Sequence, residues 1–425
     1  MFKVWSIFYN AVVIPLLILF FRIAALFNSK IKTGLKERKR LFENLIIDLT
    51  GLDRKKKMVW FHSSSMGEFE QAKPIIKKLK SENDINLIVT FFSPSGYKNS
   101  LNYQYADLIA YLPLDTATNA RRFVNLVKPS IAVFMRYDIW PNVVWQLKNK
   151  KVPIFLVDAT MRAKSKRKWI FAKSFHKALF GNFTQILTVS QTDLRHFKDF
   201  DIKENRIKAV GDTRFDRVYE KSIDAKNKKL FKDGIFEGKK VFVMGSSWEA
   251  DENVVLDPVI KAIKYDPDII LILVPHEPTL IRLEKLENYL SGKTNSIRFS
   301  FLNNYKGENV ILIDSIGILL TLYYYADAAY VGGSFKQGIH NVLEPAVYGI
   351  PVLYGPKIEN SQEAQTLIEK GGGIVIRNKR EAYRTIRNLF SNDELRMGIG
   401  QVSSKYINEN LGATEKISHE IQKYI

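Results

Sequence analysis

The chain has 425 residues, enough for two cores of ordinary size, and 46% of them are hydrophobic, which excludes a disordered chain. It has no cysteine, so disulfides, a thiolate zinc site and a cysteine nucleophile are excluded. With 64 Lys and Arg against 44 Asp and Glu, the formal charge of +20 suits an anionic membrane or substrate, and the spacings that common nucleic-acid modules need are missing, so no nucleic acid is expected as a partner.

Val4 to Phe21 is a run of eighteen residues without a charge, followed by Arg22 and the apolar stretch Ile23 to Phe27. This is long enough for a hydrocarbon core of about 30 Å. Residues 1–30 are therefore expected to be an N-terminal membrane anchor, either spanning the bilayer or lying in its interface. Lys30, Lys32, Lys36, Arg38, Lys39 and Arg40 follow, and Lys3 stands before the run. By the positive-inside rule the remaining chain is expected in the cytoplasm, on the inner membrane.

From Met58 onward, short runs rich in β-branched and aromatic residues alternate with helix-like stretches. MVWFHSSS, INLIVTFFS, LIAYLPL, SIAVFMR, VPIFLVDAT and QILTVS form a first series of strands. RIKAVGD, KVFVMGSS, IILILVPH, VILIDS, AAYVGGS, IPVLYGP and GGIVIR form a second. Each is apolar throughout, the mark of a parallel sheet covered on both faces. The expectation is α/β: two Rossmann-like domains, at 31–208 and 209–400, facing a central cleft. Residues 401–425 are read as a C-terminal helix with the N-terminal domain as its packing partner.

The segments that carry chemistry fall at strand ends. In His62-Ser-Ser-Ser-Met-Gly-Glu68, Glu68 lands at a helix N-terminus, where the dipole keeps a carboxylate ionised as a general base requires. The S-x-x-E spacing from Ser65 to Glu68 is equally that of a helix-capping box. Pro74 is expected to limit the regularity of this helix. Gly332 and Gly333 let the backbone approach a phosphate, with Ser334 and free N–H groups to bind it. Asn341 and Glu344, flanking Val342 and Leu343, share one helix face, and Glu344 suits the hydroxyls of a ribose. Pro275-His276 is either a Pro-fixed turn or a ligand contact. Gly245 to Glu249 is a further candidate turn for an acid or phosphate, and the backbone of Ile316, Gly317 and Ile318 suits a base edge. Arg136 and Asp138 face an acceptor or form a structural pair, and Arg214 is available to an anion. None of the six histidines has metal-ligand spacing, and no G-x-S-x-G elbow occurs, so neither a metal site nor a serine hydrolase is expected.

Taken together, HSSSMGE, ATMRAKSKRKW, Ser190-x-x-Asp193, GDTRFD, VPHEP and GGSF-x-x-GIHNVLEPA-x-x-GIPVLYGP resemble the 3-deoxy-D-manno-octulosonic acid (Kdo) transferase family, in order and over nearly the whole chain. The resemblance implies an inverting, metal-independent GT-B glycosyltransferase without cofactor. It would move Kdo from CMP-Kdo to a lipid A precursor in lipopolysaccharide synthesis at the inner membrane. It further implies Glu68 as the proton acceptor and positions 136 and 214, here Arg136 and Arg214, as those that support the transition state in the family, with Asp138 as a further catalytic residue that keeps the second carboxylate of the run at 136–142. CMP contacts would run through Pro275–His276, Ile316–Ile318 and Asn341–Glu344. Three positions depart from the family pattern: His276 and Arg214 replace Arg and Lys, and Arg136 replaces a Glu. Two other readings stay open. One is a different GT-B enzyme using a UDP-sugar, such as a lipid-A-disaccharide synthase or an epimerase. The other is a membrane-bound lipid- or nucleotide-binding protein without catalysis.

Overall fold

The computed structural model describes residues 2–425. Fourteen strands form two sheets of seven, every pairing parallel. The first sheet holds β1 (Lys57–Ser63), β2 (Ile85–Phe91), β3 (Leu108–Tyr111), β4 (Ile131–Met135), β5 (Ile154–Ala159), β6 (Gln185–Thr188) and β7 (Ile207–Ala209), in the order β3-β2-β1-β4-β5-β6-β7. The second holds β8 (Lys240–Ser247), β9 (Ile269–Pro275), β10 (Ser296–Arg298), β11 (Val310–Leu312), β12 (Ala328–Val331), β13 (Val352–Tyr354) and β14 (Gly373–Val375), in the order β10-β11-β9-β8-β12-β13-β14. Strand order reverses at β1/β4 in the first sheet and at β8/β12 in the second. In open α/β sheets such switch points open a crevice at the carboxyl ends of the strands.

The continuous apolar runs arise because both faces of each sheet are covered. On β1, Trp60 enters one core with Phe123 and Phe134, while Val59 and Phe61 enter the opposite core with Phe69 and Ile75. The strand period of two makes that division. Two strand readings are corrected. RIKAV is the last strand of the first sheet, because Ile207 pairs with Ile186 of β6. β10 was not expected, since its three residues, Ser296–Arg298, are too short and too polar to stand out. The helix Met66–Glu82 runs without interruption through Pro74, contrary to expectation. Pro74 lies in its middle, where the buried side chains of Phe69, Ala72, Ile75 and Leu79 hold the turn against the loss of one N–H.

The chain divides into two compact units, residues 1–217 with 411–425, and residues 218–410. The split falls inside the helix Thr213–Lys226, later than residue 208. The C-terminal helix Ala413–Gln422 belongs to the first unit, where Ala413, Ile417 and Ile421 join the core beneath Phe69 and Ile76. Asp216 accepts N–H bonds from Gly412 (2.7 Å) and Thr414 (2.6 Å), which fixes the start of that helix.

Val4–Phe27 is a helix long and apolar enough to cross a membrane. A π-helical turn at Tyr9–Val13 interrupts it where polar side chains meet the first unit. Tyr9 donates its hydroxyl to Asp115 (2.9 Å), Asn10 and Asn142 bond reciprocally through their amides (2.9 Å each), and Trp5 Nε1 donates to Ser174 (3.2 Å). Tyr9, Val13 and Leu17 pack with Trp145 and Phe175, while Ile7, Leu16, Leu19, Phe20, Leu26 and Phe27 are exposed on the other side. Asp115 also accepts the N–H groups of Asn142 (3.0 Å) and Val143 (3.1 Å), capping the helix Pro141–Asn149 from a distance.

Burial pushes the Asp115 carboxyl up to about 7, against these hydrogen bonds. A carboxyl raised in the folded state contributes stability at acid pH that is lost as pH rises through about 7. Asp115→Asn is expected to flatten that loss: the difference in denaturation midpoint between pH 5 and 8 becomes smaller than in the parent chain.

Candidate active site

The first unit gathers its polar groups at the β1/β4 switch point. Ser64 and Ser65 close the turn after β1, and Glu68 accepts the N–H of each, at 2.6 and 3.3 Å. The capping box is therefore real, and Glu68 is only 7% exposed. Burial, reinforced by the charge of Asp138, pushes the Glu68 carboxyl up, and the bonds from Ser64 and Ser65 offset this only in part. The helix terminus thus does not hold Glu68 low, as the sequence suggested; desolvation wins.

Asp138 behaves in the opposite way. Burial raises it, but hydrogen bonds from His62, Trp140 and Ser64 outweigh burial and hold it below the usual carboxylate range. His62 Nε2 is 2.8 Å from Asp138, Trp140 Nε1 is at 3.1 Å, and His62 Nδ1 is 2.9 Å from Thr90 Oγ1, which accepts Trp60 Nε1 at 2.8 Å. An ionised carboxylate only accepts, so we assign the His62 proton to Nε2, with Nδ1 accepting from Thr90. Two neighbouring carboxyls with pKa values pushed apart are the pattern of a titrating group beside a fixed charge.

Arg136 sits at φ 59° directly after β4 and donates from Nη1 to Gln71 (3.2 Å), three residues beyond Glu68 on the same helix face. It is drawn to the buried Asp158 at the end of β5, whose carboxyl burial pushes up to about 7, helped by the charge of Asp212. Asp158 accepts the hydroxyl and the N–H of Thr213. Asp212 holds Arg214 through Nε (3.1 and 2.9 Å) and Nη2 (2.5 Å). Arg214 therefore stands at the site as half of a forked ion pair, not as an uncommitted cation.

The second unit repeats the strand–turn–helix construction at β8/β12. Asp251, in the first turn of the helix Glu249–Tyr265, accepts Trp248 N (2.9 Å), Gly333 N (2.8 Å) and the Tyr330 hydroxyl (2.8 Å). Gly332 N bonds Gly245 O at 2.9 Å, and Ser334 Oγ accepts Gly355 N at 2.6 Å. The expected phosphate turn of Gly332, Gly333 and Ser334 is corrected: the two glycine amides and the serine hydroxyl are spent inside the unit. A Cβ on Gly332 would lie 2.1 Å from the Ser246 carbonyl oxygen, so glycine serves the packing of two turns.

What this unit does present is a stack of rings. His276, at the end of β9 after Pro275, lies between Trp248 and His340 with centroids 4.5 Å from each. Trp248 Nε1 donates to His340 Nε2 (3.0 Å), and burial, followed by the His276 charge, lowers His340, so that ring is a neutral acceptor. Asn341 donates to Glu344 (3.1 Å) and also accepts Leu343 N (3.2 Å), bringing the two together as their spacing suggested. Burial pushes Glu344 up. Val342 and Leu343 are buried, and the N–H of Leu343 is taken by Asn341, so both residues serve the packing of this turn. Ile316 is 85% exposed beside Gly317 at φ 84°, and Ile318 begins the helix Leu319–Tyr323. Asp158, Gln71 and Asp251 went unread. Only Asp251 carried a local signal, three residues after the turn residue Trp248, as Glu68 is after Ser65.

Residues 33–217 match the family described as 3-deoxy-D-manno-octulosonic-acid transferase (kdotransferase). A 3-deoxy-D-manno-octulosonic acid transferase of Aquifex aeolicus is 32% identical over 339 residues, 78% of this chain and 86% of that protein. The chain belongs to the Kdo transferase family. It is a glycosyltransferase of GT-B-like architecture. A bifunctional glycosyltransferase/methyltransferase of Fusobacterium nucleatum is 28% identical over 85% of this chain, which spans 57% of that longer protein. The UDP-GlcNAc 2-epimerase of Neisseria meningitidis, bound to UDP-GlcNAc, shares the fold: TM-score 0.61, 14% identity, 86% of this chain and 100% of that one.

Gly332→Ala tests the corrected role of the glycine turn. The displaced Ser246 carbonyl should lower the stability of the second unit by roughly 1–3 kcal/mol. The drop should be seen in its denaturant midpoint without any ligand present.

Proposed function

We propose that this Kdo transferase family member transfers Kdo from CMP-Kdo to a phosphorylated lipid A precursor, with inversion and with Glu68 as general base. The observation that carries the reading is the divergent pair at the β1/β4 switch: a buried Glu68 pushed up beside an Asp138 held ionised. Glu68 takes the proton of a sugar hydroxyl on the acceptor. The oxygen forms its bond to the anomeric carbon of Kdo as the bond to the CMP phosphate breaks, and CMP leaves with the electron pair. Arg136 supplies positive charge on the same unit, where Arg214 stands paired with Asp212. In the second unit, Glu344 held by Asn341 suits the ribose hydroxyls, and His276 in its ring stack suits the phosphate. No metal enters this scheme. Kinship with transferases in sequence, against likeness to the epimerase in fold alone, favours this over a UDP-sugar enzyme.

The N-terminal helix is read as seated in the membrane interface, on the cytoplasmic side. Its contacts to Asp115, Asn142 and Ser174 bind it along the first unit, and a helix crossing the bilayer would carry those polar groups into hydrocarbon. The exposed Lys30, Lys32, Lys36, Lys39 and Arg40 then face anionic headgroups.

Glu68→Gln is expected to lower kcat by about 10²- to 10⁴-fold in a transfer assay with CMP-Kdo and a tetraacylated lipid A precursor, read by the product mass. Retention of full rate would refute the base. Because the Glu68 pKa is raised, the acid limb of kcat/KM should lie above the ordinary glutamate value of about 4.3. Asp138→Asn removes a neighbouring negative charge, so the limb should move to lower pH.

A further inference from the structure

Beside the end of the apolar helix, the first unit holds an open cavity of about 440 Å³. Phe21 of that helix, Ile31 and Leu35 of the helix Ser29–Glu37, Phe92 and Pro94 after β2, and Leu114 after β3 make its lining. The rings of Phe21 and Phe92 meet at 5.6 Å. Arg38 braces one wall by donating to the carbonyls of Leu112 (2.9 Å), Gly34 (3.0 Å) and Phe92 (2.5 Å). Lys30 and Lys98 are exposed where they contribute to the cavity. The volume falls in the range of small-molecule sites, and the lining is apolar with a few cationic groups.

We infer that this cavity takes one acyl chain of the lipid acceptor, a reading that rests on the transferase function proposed above. Two observations select that occupant. Exposed apolar side chains, Phe20, Ile23, Leu26 and Phe27, flank Phe21 on its helix, so the cavity opens beside the surface that faces lipid. A chain passes from bilayer to cavity without crossing water. The inner wall also adjoins the turn of Glu68. Phe92 stacks on Trp140 (4.6 Å), whose Nε1 donates to Asp138, and Ser93 N donates to the carbonyl of Ser64 (2.9 Å), the residue whose N–H binds Glu68. A seated chain therefore holds its headgroup beside the base, with Lys30 and Lys98 near the headgroup phosphate. Contact remote from the reacting hydroxyl is converted into its position.

The test uses the full chain in lipid nanodiscs and an acylated, phosphorylated glucosamine disaccharide with a photoreactive group in one acyl chain. Labelling is expected on residues 29–38 and 92–98, suppressed by unlabelled acylated acceptor and unaffected by phosphatidylglycerol or by the deacylated headgroup. Ile31→Trp and Leu35→Trp, which fill the cavity, should abolish that label. They should also raise the ratio of KM for acylated over deacylated acceptor roughly tenfold or more, the effect of losing about two buried methylenes. Label confined to the exposed helix face, label removed by phosphatidylglycerol, or an unchanged KM ratio would each overturn the proposal. Absence of Kdo transfer by the parent chain would instead remove the function proposed above, since the labelling reads the cavity alone.

Discussion

A carboxylate withdrawn from water keeps its charge only where enough hydrogens are aimed at it, and Asp138 meets this condition. His62, Trp140 and Ser64 each contribute. Those donors are themselves placed by β1, by the loop after β4 and by the Trp60–Thr90–His62 chain that runs across the sheet. Once Asp138 is fixed as an anion, the rest of the switch point follows. Glu68 is pushed up by burial, and the charge of its neighbour adds to that rise, while the loop bearing Trp140 is tied to the strand bearing His62. The same ring of Trp140 carries Phe92, so the charge is mechanically continuous with the wall of the apolar cavity.

The two units solve one local problem with one device and reach different ends. Each has a strand, a tight turn and a helix whose third residue is an acid folded back on the turn. In the second unit three donors converge on Asp251, which ties two turns together and consumes amides that a phosphate would otherwise find. In the first unit two amides reach Glu68, and burial leaves it poised to change charge.

Much of this was legible in the residues. The apolar runs marked thirteen of the fourteen parallel strands within three residues, because covered sheets forbid alternation. Ser65 and Glu68 announced their own bond, and so did Asn341 and Glu344, since helical spacing is a local matter. The readings that failed needed distant partners. The Gly332–Gly333 pair says that backbone comes close to something, and only the position of the Ser246 carbonyl says to what. RIKAV was assigned to the wrong sheet because its apolar pattern is indifferent to which neighbour completes it. The charge of Asp138 adds to the rise at Glu68, and that of Arg136 offsets part of the rise at Asp158; neither relation has a signature in local sequence.

The discontinuity of the first unit sets an order of events during synthesis. Its sheet is complete by Ala209, but one of its cores lacks Ala413, Ile417 and Ile421 until the last residues of the chain emerge. The whole second unit is made in the interval and contains every residue of its own core. A nascent chain therefore carries an open patch around Phe69, Ile75 and Ile76 while the second unit is made. The final helix is a closing latch, and its two amides on Asp216 are the catch.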